Sequence, residues 1–177
     1  MSAVLGMDAA VIENVLNGRE GVSIANYNCP GQIVITGEAA AVAEAGTALK
    51  EAGARRVLPL KVSGPFHSPM MRPAGEELAK VFARVSMNPL KIPYVANINA
   101  EVITDCGRIE GLLVEQVSGS VRWQQSVETM IREGVDTFVE IGPGKTLTGF
   151  LRKIDKNVKA YHIGSWEEAV QVCEELK

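Results

Sequence analysis

Short apolar runs alternate with stretches of helical periodicity along this chain, and their order divides the sequence in two. Ser2 to Gly6 reads as a short strand. Asp8 is placed to cap a helix carrying Val11, Ile12, Val15 and Leu16 on one face, which Asn17-Gly18 ends. Val22 to Ala25 is a second strand. Pro30-Gly31 marks a loop into a third strand, Gln32 to Thr36, followed by a helix from Glu38 to Ala52 with Val42, Ala45 and Leu49 inward and Gly53 as its stop. Arg56 to Val62 is a fourth strand. The order βαββαβ is the split pattern of a ferredoxin-like unit, so residues 1–63 are expected to form one subdomain.

The remainder, residues 64–177, has a different rhythm. Ser68-Pro69 supplies an N-cap and first helical position for a helix running to about Val85, with Met71, Leu78, Val81, Phe82 and Val85 on its inner face. Pro93 to Ile98 reads as a strand, and Ile109 to Val117 and Trp123 to Glu133 as helices. Thr137 to Ile141 and Val158 to Ile163 are apolar strands separated by a helix from Lys145 to Ile154, and Ser165 caps a last helix with Ala169, Val170 and Cys173 inward. Strands alternating with helices predict an α/β arrangement around a parallel sheet. About three strands are too few to complete one, so an exposed apolar edge or helix face is expected.

Composition narrows the function classes. The 177 residues are 46% hydrophobic with a formal net charge of -3, enough to bury a core but without the basic surface that nucleic acid or anionic lipid would require. No window approaches the roughly 20 apolar residues of a membrane span, and the first residues lack the basic and apolar regions of a signal peptide. A cytoplasmic location is expected. Cys29, Cys106 and Cys173 are odd in number and far apart, so neither a disulfide framework nor a metal site is expected.

The chemistry concentrates in Gly64-Pro65-Phe66-His67-Ser68-Pro69-Met70-Met71, where one of only two histidines sits on a turn between a strand and a helix. A histidine there can serve as a general base, because imidazole ordinarily titrates near working pH; the plainer alternative is a turn histidine that satisfies backbone groups. His162, in an apolar strand, reads as a core residue. Gly142-Pro143-Gly144-Lys145-Thr146 is not a phosphate loop, since Val139 stands where that motif needs glycine.

Three blocks, Asn26-Tyr27-Asn28-Cys29-Pro30-Gly31-Gln32-Ile33-Val34-Ile35-Thr36-Gly37, the His67 segment, and Val139-Glu140-Ile141-Gly142-Pro143-Gly144-Lys145-Thr146-Leu147-Thr148-Gly149, resemble the malonyl-CoA:acyl-carrier-protein transacylases in order and spacing. The resemblance covers the C-terminal portion of a family member. It implies that residues 64–177 are the C-terminal part of an α/β-hydrolase-like catalytic domain. It also implies transfer of malonyl from coenzyme A to acyl carrier protein through an acyl-serine, in fatty acid biosynthesis, with a coenzyme A thioester as substrate and no bound cofactor. The family's serine lies in a G-x-S-x-G elbow, which this sequence lacks, so the chain alone is expected to be inactive and to need the serine-bearing N-terminal segment as a partner.

By the same resemblance His67 is the general base, oriented by the backbone carbonyl of Gln116; taken alone, Gln116 would be an exposed helix residue. Asn28 and Gln32 match positions lining the acyl or pantetheine channel, although Asn and Gly are also ordinary turn residues. Phe66 matches a position where an aromatic ring goes with malonyl, and it could equally fill core space. The alternative to an enzyme is a non-catalytic ferredoxin-like fragment that binds a ligand or protein.

Overall fold

The computed structural model describes residues 1–176. Its first part is a four-stranded antiparallel sheet in the order β2-β3-β1-β4, built from β1 (Ser2–Leu5), β2 (Val22–Cys29), β3 (Gln32–Gly37) and β4 (Arg56–Pro59). Helices α1 (Ala9–Leu16) and α2 (Ala39–Glu51) complete the βαββαβ connectivity. Val4, Ile33 and Ile35 from the sheet meet Ile12 and Leu16 of α1 and Val42, Ala45 and Leu49 of α2 in one buried core.

Two boundaries differ from the pattern-based expectation. β2 runs to Cys29, four residues past Ala25, because Pro30-Gly31 makes a tight hairpin with Gly31 at φ +73°, pairing Cys29 with Gln32. β4 stops at Pro59, with one further bond from Leu60 N to Met1 O (3.0 Å), and residues 60–63 are exposed. On α1, Val11 is exposed instead of facing in, and Asp8 occupies the N-cap without a side-chain hydrogen bond.

The second part holds α3 (Arg72–Phe82), β5 (Tyr94–Ala96), β6 (Glu101–Ile103), α4 (Ile109–Ser118), α5 (Trp123–Arg132), β7 (Thr137–Ile141), α6 (Thr146–Ile154), β8 (Lys159–Ile163) and α7 (Trp166–Glu175). β7 and β8 pair in parallel with α6 as their crossover. β5 does not join them. It pairs antiparallel with β6 across a turn in which Ala100 takes φ +59°, a short reversal that a periodicity reading treats as loop. The helix expected from Ser68 is a 3₁₀ turn, Pro69–Met71, followed by α3, which ends at Phe82.

Helix faces also depart from expectation. In α3 only Gly75 is buried, closely approached by the Val114 carbonyl of α4, while Val81 and Val85 are exposed. In α7 Val172 is the buried residue, and Trp166, Val170 and Cys173 face outward. On α7 Trp166, Val170 and Cys173 form an apolar stripe that nothing among the described residues covers. Trp123, Phe138, Ile141, Leu147 and Tyr161 line a further open hollow of about 360 Å³ beside β7 and α6.

A short strap joins the two parts. Val121 bridges the edge of β2, its N–H donating to Ala25 O (2.7 Å) and its carbonyl accepting from Tyr27 N (2.8 Å), while Ser120 Oγ donates to Ile24 O (2.6 Å). Helices α5 and α6 pack against β2 as well. Tyr27 donates its hydroxyl to Glu13 (2.7 Å) beneath the Arg122 guanidinium, and burial, followed by that bond and the Glu13 charge, pushes its phenol up to about 12.

Candidate active site

The turn after β4 carries His67 with φ +58°, in the left-handed region that a residue with a side chain adopts only when its surroundings impose it. Pro65 and Pro69 flank it with fixed φ. Ser68, almost wholly buried, donates its Oγ proton back to Pro65 O at 2.6 Å. That bond closes the turn. Ser68 is thus the N-cap by position, yet its hydroxyl serves the His67 turn instead of the helix.

His67 Nδ1 lies 3.1 Å from the backbone carbonyl of Gln116, half-buried between the turn and the last residues of α4. A carbonyl can only accept, so Nδ1 carries the proton and Nε2 keeps its lone pair. The carbonyl is free for this because α4 ends at Ser118 and Gly119 is extended (φ -103°, ψ 158°), so the N–H of Ser120 no longer turns back to residue 116. The C-terminus of α4 is also the negative end of its dipole, a favourable neighbour for an imidazole that becomes cationic during proton transfer.

The other candidate residues lie elsewhere. Phe66 is exposed, its ring packed over Gly64. Asn28 and Gln32 flank the Pro30-Gly31 turn, half-buried, and Gln32 Oε1 accepts from Lys153 Nζ at 3.4 Å. No hydrogen bond among the described residues joins either to His67. Cys29 between them is buried, and burial pushes its thiol up, which suits a packed residue better than a nucleophile. His162 Nε2 bonds to Gly142 O at 2.9 Å, within the turn that leads from β7 into α6.

Sequence reasoning passed over three polar groups around the site: the Ser68 hydroxyl, the Ser120 hydroxyl, and the side-chain amide of Gln116, whose Nε2 donates to Gly119 O (2.9 Å) and Ser120 O (3.4 Å). Their partners depend on tertiary contacts or helix termination, for which residue type alone is no signal. Glu140 lies within the third family block, and its carboxylate caps α6, accepting from Leu147 N (3.1 Å), Thr148 N (2.7 Å) and Thr148 Oγ1 (2.6 Å). No cluster of three or more His, Cys, Asp or Glu able to hold a metal occurs among the described residues, and no helix is long and apolar enough to cross a membrane.

Comparison with known proteins fits this geometry. The model of the acyl transferase domain family matches residues 1–172. The malonyl CoA-acyl carrier protein transacylase of Bacillus subtilis (strain 168) is 42% identical over 181 residues, covering all of this chain and 57% of the relative. The crystal structure of acyl-carrier-protein-S-malonyltransferase from Bartonella henselae superposes with a TM-score of 0.93 at 40% identity, covering 99% of this chain and 57% of that one. A type II PKS acyl-carrier protein in complex with its malonyl-transacylase gives 0.91 at 35% identity, covering 98% and 57%. The chain therefore spans little more than half the length of the relatives it matches. A match of this extent does not favour a free-standing ligand-binding fragment: the chain belongs to the acyl transferase domain family, and within it resembles the C-terminal portion of the malonyl-CoA:acyl-carrier-protein transacylases.

Proposed function

We propose that this chain supplies the proton-transfer half of a malonyl-CoA:acyl-carrier-protein transacylase, acting in the cytoplasm in fatty acid biosynthesis. The single observation that carries the reading is the His67 Nδ1 to Gln116 O contact of 3.1 Å, which leaves Nε2 as a fixed acceptor. His67 Nε2 takes the proton of a serine hydroxyl as its oxygen attacks the malonyl thioester carbonyl. When the carbon–sulfur bond breaks, the proton passes to the coenzyme A thiolate. The same nitrogen then deprotonates the phosphopantetheine thiol of acyl carrier protein, whose sulfur attacks the malonyl-serine, and the serine oxygen recovers the proton. No cofactor is needed for these steps. The carbonyl holds the ring by accepting one hydrogen bond, the orienting part an aspartate plays in a serine-histidine-aspartate triad.

The serine comes, on this reading, from a segment outside this sequence, which contains no G-x-S-x-G. Residues 1–63 are read as a ferredoxin-like subdomain, an assignment that the antiparallel order and split connectivity support, and residues 64–177 as part of an α/β-hydrolase-like domain. Asn28 and Gln32 are assigned to the substrate arm, and Phe66 to the acyl pocket.

Malonyl transfer from coenzyme A to carrier protein, measured with the chain alone and with the serine-bearing segment added, tests this. The chain alone should show none. The complemented enzyme should turn over, and His67→Ala should slow serine acylation by roughly 10²–10⁴-fold. Robust turnover by the chain alone, or an unchanged acylation rate in His67→Ala, would overturn the proposal.

A further inference from the structure

We infer that the side chain of Gln116 is a positioning residue for His67, distinct from the backbone carbonyl that touches the ring. The inference rests on reading His67 as the base. Gln116 Nε2 reaches forward to the carbonyls of Gly119 and Ser120, the two residues by which the chain leaves α4. Both neighbours are acceptors, so the amide must present its NH₂ to them. Its Oε1 is buried with no partner among the described residues, so its one set of contacts is this clasp.

The far side of the clasp is anchored. Ser120 Oγ donates to Ile24 O at 2.6 Å, and Val121 exchanges two backbone bonds with Ala25 and Tyr27 of β2. A continuous hydrogen-bonded path therefore runs from the four-stranded sheet through Ser120 and the Gln116 amide to the carbonyl facing His67 Nδ1. Helix ends fray unless their terminal carbonyls are tied. Releasing the amide lets residues 116–119 move, and an acceptor displaced from Nδ1 no longer selects which ring nitrogen is protonated. Nε2 then carries a proton in part of the population and cannot accept one.

The tautomer can be read without turnover. The chain has two histidines, so nitrogen-15 NMR of the labelled chain above the imidazole titration, with His162→Gln for assignment, reports His67 directly. The parent should hold His67 predominantly as the Nδ1–H form. Gln116→Met should lose that predominance while the His162 signals stay in place, Ser120→Ala should move in the same direction by less, and Gln116→Lys, which keeps a donor, should restore the parent populations. In the complemented enzyme Gln116→Met should lower the acylation rate by up to about 10²-fold with little change in KM for malonyl-CoA, as expected of a misplaced base.

Parent-like tautomer populations in both Gln116→Met and Ser120→Ala would overturn the inference; should Gln116→Met fail to fold, Ser120→Ala with Gln116→Lys decides it. A complemented parent enzyme that never acylates would instead sink the transacylase reading and leave the tautomer result standing.

Discussion

At the scale of single residues, the candidate site is built around a histidine whose ring is held at one nitrogen and whose backbone is held in an uncommon conformation. The His67 turn is legible in the sequence because Pro65, Ser68 and Pro69 punctuate the chain in a recognisable way, and its match to a family block is what suggests the role proposed for it. Gln116 was legible only as a carbonyl. The reach of its amide depends on where α4 stops, which is set by the extended Gly119 and the strap beyond it, neither of which local periodicity encodes. Phe66 carries its own test. Its ring lies exposed over Gly64, and the role proposed for it is to narrow an acyl pocket. If it does so, Phe66→Ala in the complemented enzyme should reduce the preference for malonyl-CoA over its α-methyl analogue by roughly 10-fold or more, the worth of about one methyl group in a pocket. Competing-substrate kcat/KM ratios measure it, and an unchanged ratio assigns the ring to packing.

At the scale of elements, the order of the first part is legible because its two helices each bury one face against the sheet, Ile12 and Leu16 on α1 and Val42, Ala45 and Leu49 on α2, so that their spacing reflects burial. The second part was harder. β5 and β6 are three residues each, too short for a pattern, and the outward faces of α3 and α7 carry apolar residues where periodicity expects core. α6 shows an interaction no spacing rule announces, an N-terminus capped from the preceding strand by Glu140. Burial pushes the Glu140 carboxyl up, but the hydrogen bonds from Thr148 and Leu147 outweigh it and hold the group below the ordinary carboxylate range. A depressed folded-state value contributes stability above the unfolded value and loses it as pH falls through the folded one. Glu140→Gln should therefore lower the melting temperature at neutral pH, by the equivalent of about 0.5–1 kcal/mol for a solvent-screened cap, with the gap between variant and parent closing below about pH 4. Thermal melts across that range check the sign; a gap that widens on acidification contradicts the assignment.

At the scale of the whole molecule, the apolar residues left uncovered are the largest clue to what the chain does in company. Ile141, Trp166 and Ile92 are each more than three-quarters exposed, and the hollow beside β7 is open. Such a surface favours either a covering partner or self-association. The chain should gain melting temperature from the serine-bearing segment in trans, or else form oligomers on its own. Light scattering and melting with and without that segment decide this, and a monodisperse monomer indifferent to it would show a self-sufficient fold. Finally, the strap over β2 means that the peptide link through residues 60–63 is not what holds the two parts together. A protease that nicked this exposed stretch would yield two bands on a denaturing gel and one particle in solution, its histidine still facing the same carbonyl.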